Sequence, residues 1–155
     1  MKPVRTILTA GIVAGAFDII DALVFFGLRG IKPMSIPQSI AAGLVGMDAF
    51  KGGWPMVALG LLLHFAIAIV MAAVFYGLAR LVPIVMRHAA VAGMVYGIGL
   101  FLVMTYIVVP HSGFLPGHNR PFPPKLDPVL FNALFAHIVL VGLTIGVVTR
   151  RDAAR

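Results

Sequence analysis

Residues Trp54–Leu81 read WPMVALGLLLHFAIAIVMAAVFYGLARL. The stretch holds no acid and no lysine, and its one arginine, Arg80, stands beside its end. It is longer than the roughly 20 apolar residues that carry a helix across a bilayer core of about 30 Å. Inside lipid, backbone N–H and C=O groups must be paired within the segment, so this is a helix that crosses the membrane. Three more stretches have the same character: about Ile7–Leu28, Ala89–Val109 and Pro128–Thr149. Charge or proline brackets each of them, and none alternates as a barrel strand would. The first follows Lys2 and Arg5, as a signal peptide would, but its apolar run is too long and contains Asp18 and Asp21. With no clear small-residue cleavage site after it, it reads as an uncleaved helix.

The whole composition agrees. Hydrophobic residues make up 61% of the 155 and charged residues 11%, against about 25% charged in a soluble domain. Such a chain cannot cover a water-facing surface, and it is too apolar to be disordered. Cysteine is absent, which excludes disulfides and thiolate chemistry. The net charge of +7 fits basic ends at anionic headgroups and implies no nucleic acid. The expected fold class is therefore all-α: a polytopic membrane protein, one integral domain over 1–155, with four transmembrane helices in a bundle and the lipid bilayer as its surroundings.

Lysine and arginine set the expected direction. With the N-terminus inside, the inner segments hold Lys2, Arg5, Arg80, Arg87, Arg150, Arg151 and Arg155, and the outer ones Arg29, Lys32, Lys51, Arg120 and Lys125. That bias places both termini in the cytoplasm. Of the two outer connections, residues 37–50 form an expected short interfacial or re-entrant helix, opened by Pro37. Its expected stripe is Ile36, Ile40, Leu44 and Met47. Residues 110–127 hold Pro116, Pro121, Pro123 and Pro124 and read as an extended loop. Its His111 and His118 read as solvated.

The halves of the chain resemble each other. Ala10-Gly11-Ile12-Val13-Ala14-Gly15 and Ala92-Gly93-Met94-Val95-Tyr96-Gly97 share the pattern A-G-x-V-x-G. His64 stands nine residues after Pro55, and His137 nine after Pro128. Two tandem helical hairpins, repeated with offsets of 82 and 73 residues, are expected to be related by an axis along the membrane normal. Gly11/Gly15, Gly93/Gly97 and Gly142/Gly146 each lie four apart, a spacing that lets backbones approach. They serve either the bundle or a seam with a second copy or a membrane-protein partner.

Four polar groups share one depth. At 1.5 Å per residue, Asp18 and His64 lie about 15 Å below the outer ends of their spans, His137 about 14 Å and Asp21 about 10 Å. Charge at mid-bilayer is costly, roughly 2.5 kcal/mol or more per group, and marks function or a buried pair. Asp18, Asp21, His64 and His137 are thus the candidate ligand or proton site. Four readings stand. His64, His137 and Asp18 can hold a metal ion without thiolate. The two histidines can ligate a haem iron. Imidazole, which exchanges protons near neutral pH, can build a proton-linked site. Or the groups only pair and fix helix register. Tyr106, Asn132 and Thr105, within about two turns of the outer face, are candidates for an entrance, and Tyr106 and Trp54 also suit the aromatic belt. No nucleotide-binding or hydrolase motif occurs, so the chain does not read as an enzyme on its motifs.

Gly27-Leu28-Arg29-Gly30, Gln38-Ser39-Ile40-Ala41, Ala49-Phe50-Lys51-Gly52-Gly53 and Leu61-Leu62-Leu63-His64-Phe65 together resemble small bacterial inner-membrane proteins of the YagU-like type. The likeness runs from Ala10-Gly11 through Val109-Pro110 and weakens toward His137. It implies a four-helix protein of the bacterial inner membrane and a loose link to acid tolerance. It carries no reaction and no catalytic residue.

Overall fold

In the computed structural model, residues 3–114, 122 and 124–153 are described. The chain is helical, with no strand among these residues. Four helices are long and apolar enough to cross a membrane: Pro3–Gly27, Gly53–Leu81, Ala89–Val108 and Pro128–Asp152. This is a multi-pass membrane protein. The first span is α1 (Pro3–Gly27) and the second α3 (Gly53–Leu81). A short α4 (Pro83–Arg87) leads into α5 (Ala89–Val103), which continues as a π-helix over Met104–Val108. The fourth span joins α6 (Pro128–Phe135), a π-helical stretch Ala136–Leu143 and α7 (Thr144–Ala153). Both ends of the chain lie on one face, where the Thr6 hydroxyl donates to Asp152 Oδ2 at 3.0 Å. We call this the terminal face, and the opposite one the loop face.

Glycine governs how the spans meet. A Cβ at Gly11 would stand 2.6 Å from Ile69 Cα, and one at Gly15 3.0 Å from the Phe65 ring. In the second hairpin the approach is backbone to backbone. Gly93 lies against the Gly142 carbonyl, Gly97 against the His137 carbonyl and Gly146 against the Ala89 carbonyl. These contacts follow the repeat. Gly11–Ile69 corresponds to Gly93–Gly142, and Gly15–Phe65 to Gly97–Ile138, with the same two offsets. Of the two uses expected for these six glycines, the contacts within the chain are those of the bundle. Isoleucines and valines such as Ile12, Ile20, Val70 and Val95 face outward instead, as lipid-facing side chains do.

The loop-face helix is shorter than expected and uses another stripe. It is α2, Ser35–Val45. Gly46, at φ +81°, ends it in a conformation that glycine adopts at little cost. A 3-10 turn, Met47–Lys51, follows. Ile36, Pro37, Gln38, Ala41 and Ala42 are buried, while Leu44 and Met47 are exposed. The reason is close packing: the Pro37 carbonyl sits where Gly60 of α3 has no side chain. Phe114 packs beside Phe50, with ring centroids 6.4 Å apart, and the Gly113 N–H donates to the Gly43 carbonyl at 2.9 Å. His118 and Arg120 lie outside the described residues, and His111 is exposed.

Across the bundle, α2 packs on α3, α3 on α1, α1 on the fourth span, and the fourth span on α5. The second span and α5 close the circuit only weakly. Their seam is pinned where Tyr96 Oη donates to the Met71 carbonyl at 3.0 Å, with the Phe75 and Tyr96 rings 5.4 Å apart.

Candidate functional site

The weakly closed circuit leaves a cavity of about 430 Å³. Asp18 comes to its wall from α1, His64 from α3, and His137 from the π-helical stretch of the fourth span. Phe101, Thr105 and Tyr106 line it from the third span. Both π-helical stretches therefore border the same space, as π-bulges often do at functional sites. Toward the loop face the wall continues through Pro124, Lys125 and Asp127.

Each histidine is held by a carbonyl. His64 Nε2 lies 2.8 Å from the Gly15 carbonyl oxygen and 3.9 Å from Asp18 Oδ2. His137 Nδ1 lies 2.8 Å from the Ala133 carbonyl oxygen. A carbonyl only accepts, so the facing ring nitrogen carries the proton and donates. In a neutral ring the other nitrogen then keeps its lone pair. The rings of Phe65 and Phe101 stand edge-on to His64 and His137, at 5.3 and 5.9 Å. Asp18 has His64, His137 and Asp21 within electrostatic reach. The side chains of Asp18 and His64 are 29% and 11% exposed. No charged side chain among the described residues is fully buried. The expectation of a buried layer is corrected accordingly: the cavity gives its walls partial access.

The expected residues do not all converge. Asp21, one helical turn beyond Asp18, faces the fourth span and accepts from Asn132 Nδ2 at 2.8 Å. Neither Asp21 nor Asn132 lines the cavity; their bond ties α1 to the fourth span. Tyr106 does line it, and its ring stands 5.7 Å from Phe122. Among the described residues no three His or Asp side chains gather closely enough to hold a metal ion.

Sequence reasoning missed Lys125 and Asp127. Their position just ahead of the fourth span was the available signal. Asp127 caps α6, its Oδ1 accepting from the Leu130 N–H at 2.9 Å, with Pro128 at the first helical position. Its carboxylate is thereby engaged, while the exposed Lys125 places a cation at the loop-face mouth.

Comparison with protein-family models, with curated proteins and with solved structures returns no match for this chain.

Proposed function

We propose that this is a binding or transport-type protein of the bacterial inner membrane, with both termini cytoplasmic, whose Asp18, His64 and His137 take a proton or a small ligand. One observation carries the reading: three polar side chains from three different spans line a single cavity. Structural pairs alone do not need such a space. The size of the cavity lies within the range of small-molecule sites, and polar groups kept inside a membrane usually mark ligand or proton paths.

Dicyclohexylcarbodiimide tests this, because it is apolar and adds to protonated carboxyl groups. Applied to the chain in phosphatidylcholine nanodiscs, it is expected to modify Asp18 in preference to Asp21. His64→Ala and His137→Ala are expected to change the pH profile of that labelling while helicity by circular dichroism stays constant. Equal labelling of both aspartates, unmoved by either substitution, would overturn the proposal.

A second reading has its own observation. The Asn132–Asp21 bond and the His64–Gly15 carbonyl contact are the ties that an accessory membrane subunit would use to hold its helices. On that reading the same substitutions lower stability, and Asp18 is unreactive.

A further inference from the structure

A second hollow, of about 590 Å³, opens along the seam between α3 and α5. Leu63, Ala66, Val70, Val74, Gly99 and Val103 line it, and it presents no polar surface. It adjoins the polar cavity, since Ile67, Met71 and Met104 border both. A Cβ at Gly99 would meet nothing within 4 Å, unlike the glycines of the closed seams. The chain therefore sets a polar chamber beside an apolar hollow, with two flexible methionines and an isoleucine between them.

We propose that the ligand is an amphiphilic amine, its ammonium head in the chamber beside Asp18 and its alkyl tail in the α3–α5 seam. This rests on the cavity being a ligand site. The sign of the head follows from the donors and acceptors. When ionised, the Asp18 carboxylate only accepts, and each neutral histidine spends its N–H on a backbone carbonyl, leaving a lone pair on the second ring nitrogen. The chamber thus favours a hydrogen-bond donor that carries positive charge. Phe26, Phe101 and Tyr106 add aromatic rings to the wall, a residue type that attracts cations. A fatty acid or the phosphate of a phospholipid would bring a second negative charge against an ionised Asp18. The route follows from the seam, which presents no polar surface and faces the acyl chains, where amphiphilic amines concentrate; the loop-face mouth carries both Lys125 and the Asp127 carboxylate and sets no net sign.

The test uses dodecylamine carrying a diazirine near its tail end, photolysed with the full chain in phosphatidylcholine nanodiscs and mapped by mass spectrometry. Labelling is expected on Leu63–Val74 and Gly99–Val103. Unlabelled dodecylamine should compete it away, and dodecanoate should not. Asp18→Asn should reduce it about tenfold. Gly99→Leu, which fills the seam far from the charge, should abolish it with helicity unchanged. Tetramethylammonium, which has no tail, separates the two levels of the argument. If it protects Asp18 from carbodiimide while the diazirine labels the mouth near Lys125, the cavity reading holds and the seam proposal falls. If neither probe depends on Asp18, both fall. Competition by dodecanoate, labelling by the neutral lipid alone, or a crosslinked dimer through the seam would each overturn the amphiphilic amine as occupant.

Discussion

The two hairpins use one contact pattern and reach opposite results. In the first, Gly11 and Gly15 accept the side chains and backbone of Ile69, Phe65 and Ala68. Gly11 still meets the Ile69 backbone, but at Gly15 the neighbours are side chains, and there the His64 ring reaches across to the Gly15 carbonyl. In the second, glycines stand on both sides, Gly93 and Gly97 against Gly142 and the His137 backbone. The helices close on each other, so the His137 ring turns back to its own helix at Ala133. The difference shows how two halves with one contact pattern can depart from symmetry. The tight hairpin is a rigid wall, and the looser one brings the carboxylate and a cross-helix imidazole to the cavity.

Substitutions that add one methyl group break or sharpen this comparison, and the largest effect belongs to the tight hairpin. Gly97→Ala places a Cβ against the His137 carbonyl and 2.7 Å from Ile138 Cα. Backbone cannot move aside as a side-chain tip can. The expected loss is about 3 kcal/mol, the upper end for overpacking, measured by reversible unfolding in mixed micelles. Gly15→Ala meets only the Phe65 ring and the Ala68 methyl, at 3.0 and 3.1 Å, and should cost about 1 kcal/mol. If the order were reversed, the two seams would not differ as described.

Next in size is Asn132→Leu, which leaves the Asp21 carboxylate without the donor at 2.8 Å. Interhelical hydrogen bonds in membranes are worth about 0.6–1.7 kcal/mol, and the stranded acceptor adds to the loss, so a destabilisation of about 2 kcal/mol is expected in the same assay. Asp18→Asn, by contrast, should cost less stability and more carbodiimide reactivity. Equal stability costs at the two aspartates would mean that both are ties. Tyr96→Phe, which removes the Oη bond to the Met71 carbonyl, should lower stability by about 0.6 kcal/mol and increase diazirine labelling of the seam.

The four spans were legible because their signal is local: length and hydropathy decide them. The common depth of Asp18, His64 and His137 was legible for the same reason, since depth is counted along one helix. Rotation is not local. Asp18 and Asp21 are three residues apart, near enough to read as one face, yet one meets α3 and the other the fourth span. The glycine pairs predicted close approach but not with whom, because intramolecular and intermolecular seams ask for the same residues. The π-helical stretches had no sequence signal, and α2 ended early because Gly46 takes a left-handed turn that its stripe of apolar residues did not reveal.

The smallest effect belongs to the charged pair outside the bundle. Lys51 Nζ lies 2.8 Å from Asp48 Oδ1, and both side chains are exposed. The lysine's hydrogen bond and charge hold the Asp48 carboxyl below its ordinary range, and the carboxylate raises the Lys51 ammonium in turn. A depressed carboxyl contributes while it is ionised and stops contributing as pH falls through its lowered value, so any benefit is present at neutral pH and lost only in acid. Water and salt screen such a pair. Asp48→Asn should therefore leave the unfolding midpoint unchanged at pH 7 and at pH 5, whereas Asn132→Leu lowers it at both. The contrast separates two polar contacts of the same length, one at the water-facing turn and one between apolar helices, by the medium that surrounds them. A clear drop for Asp48→Asn would mean that the turn over Met47–Lys51 is packed against more than α2 and α3.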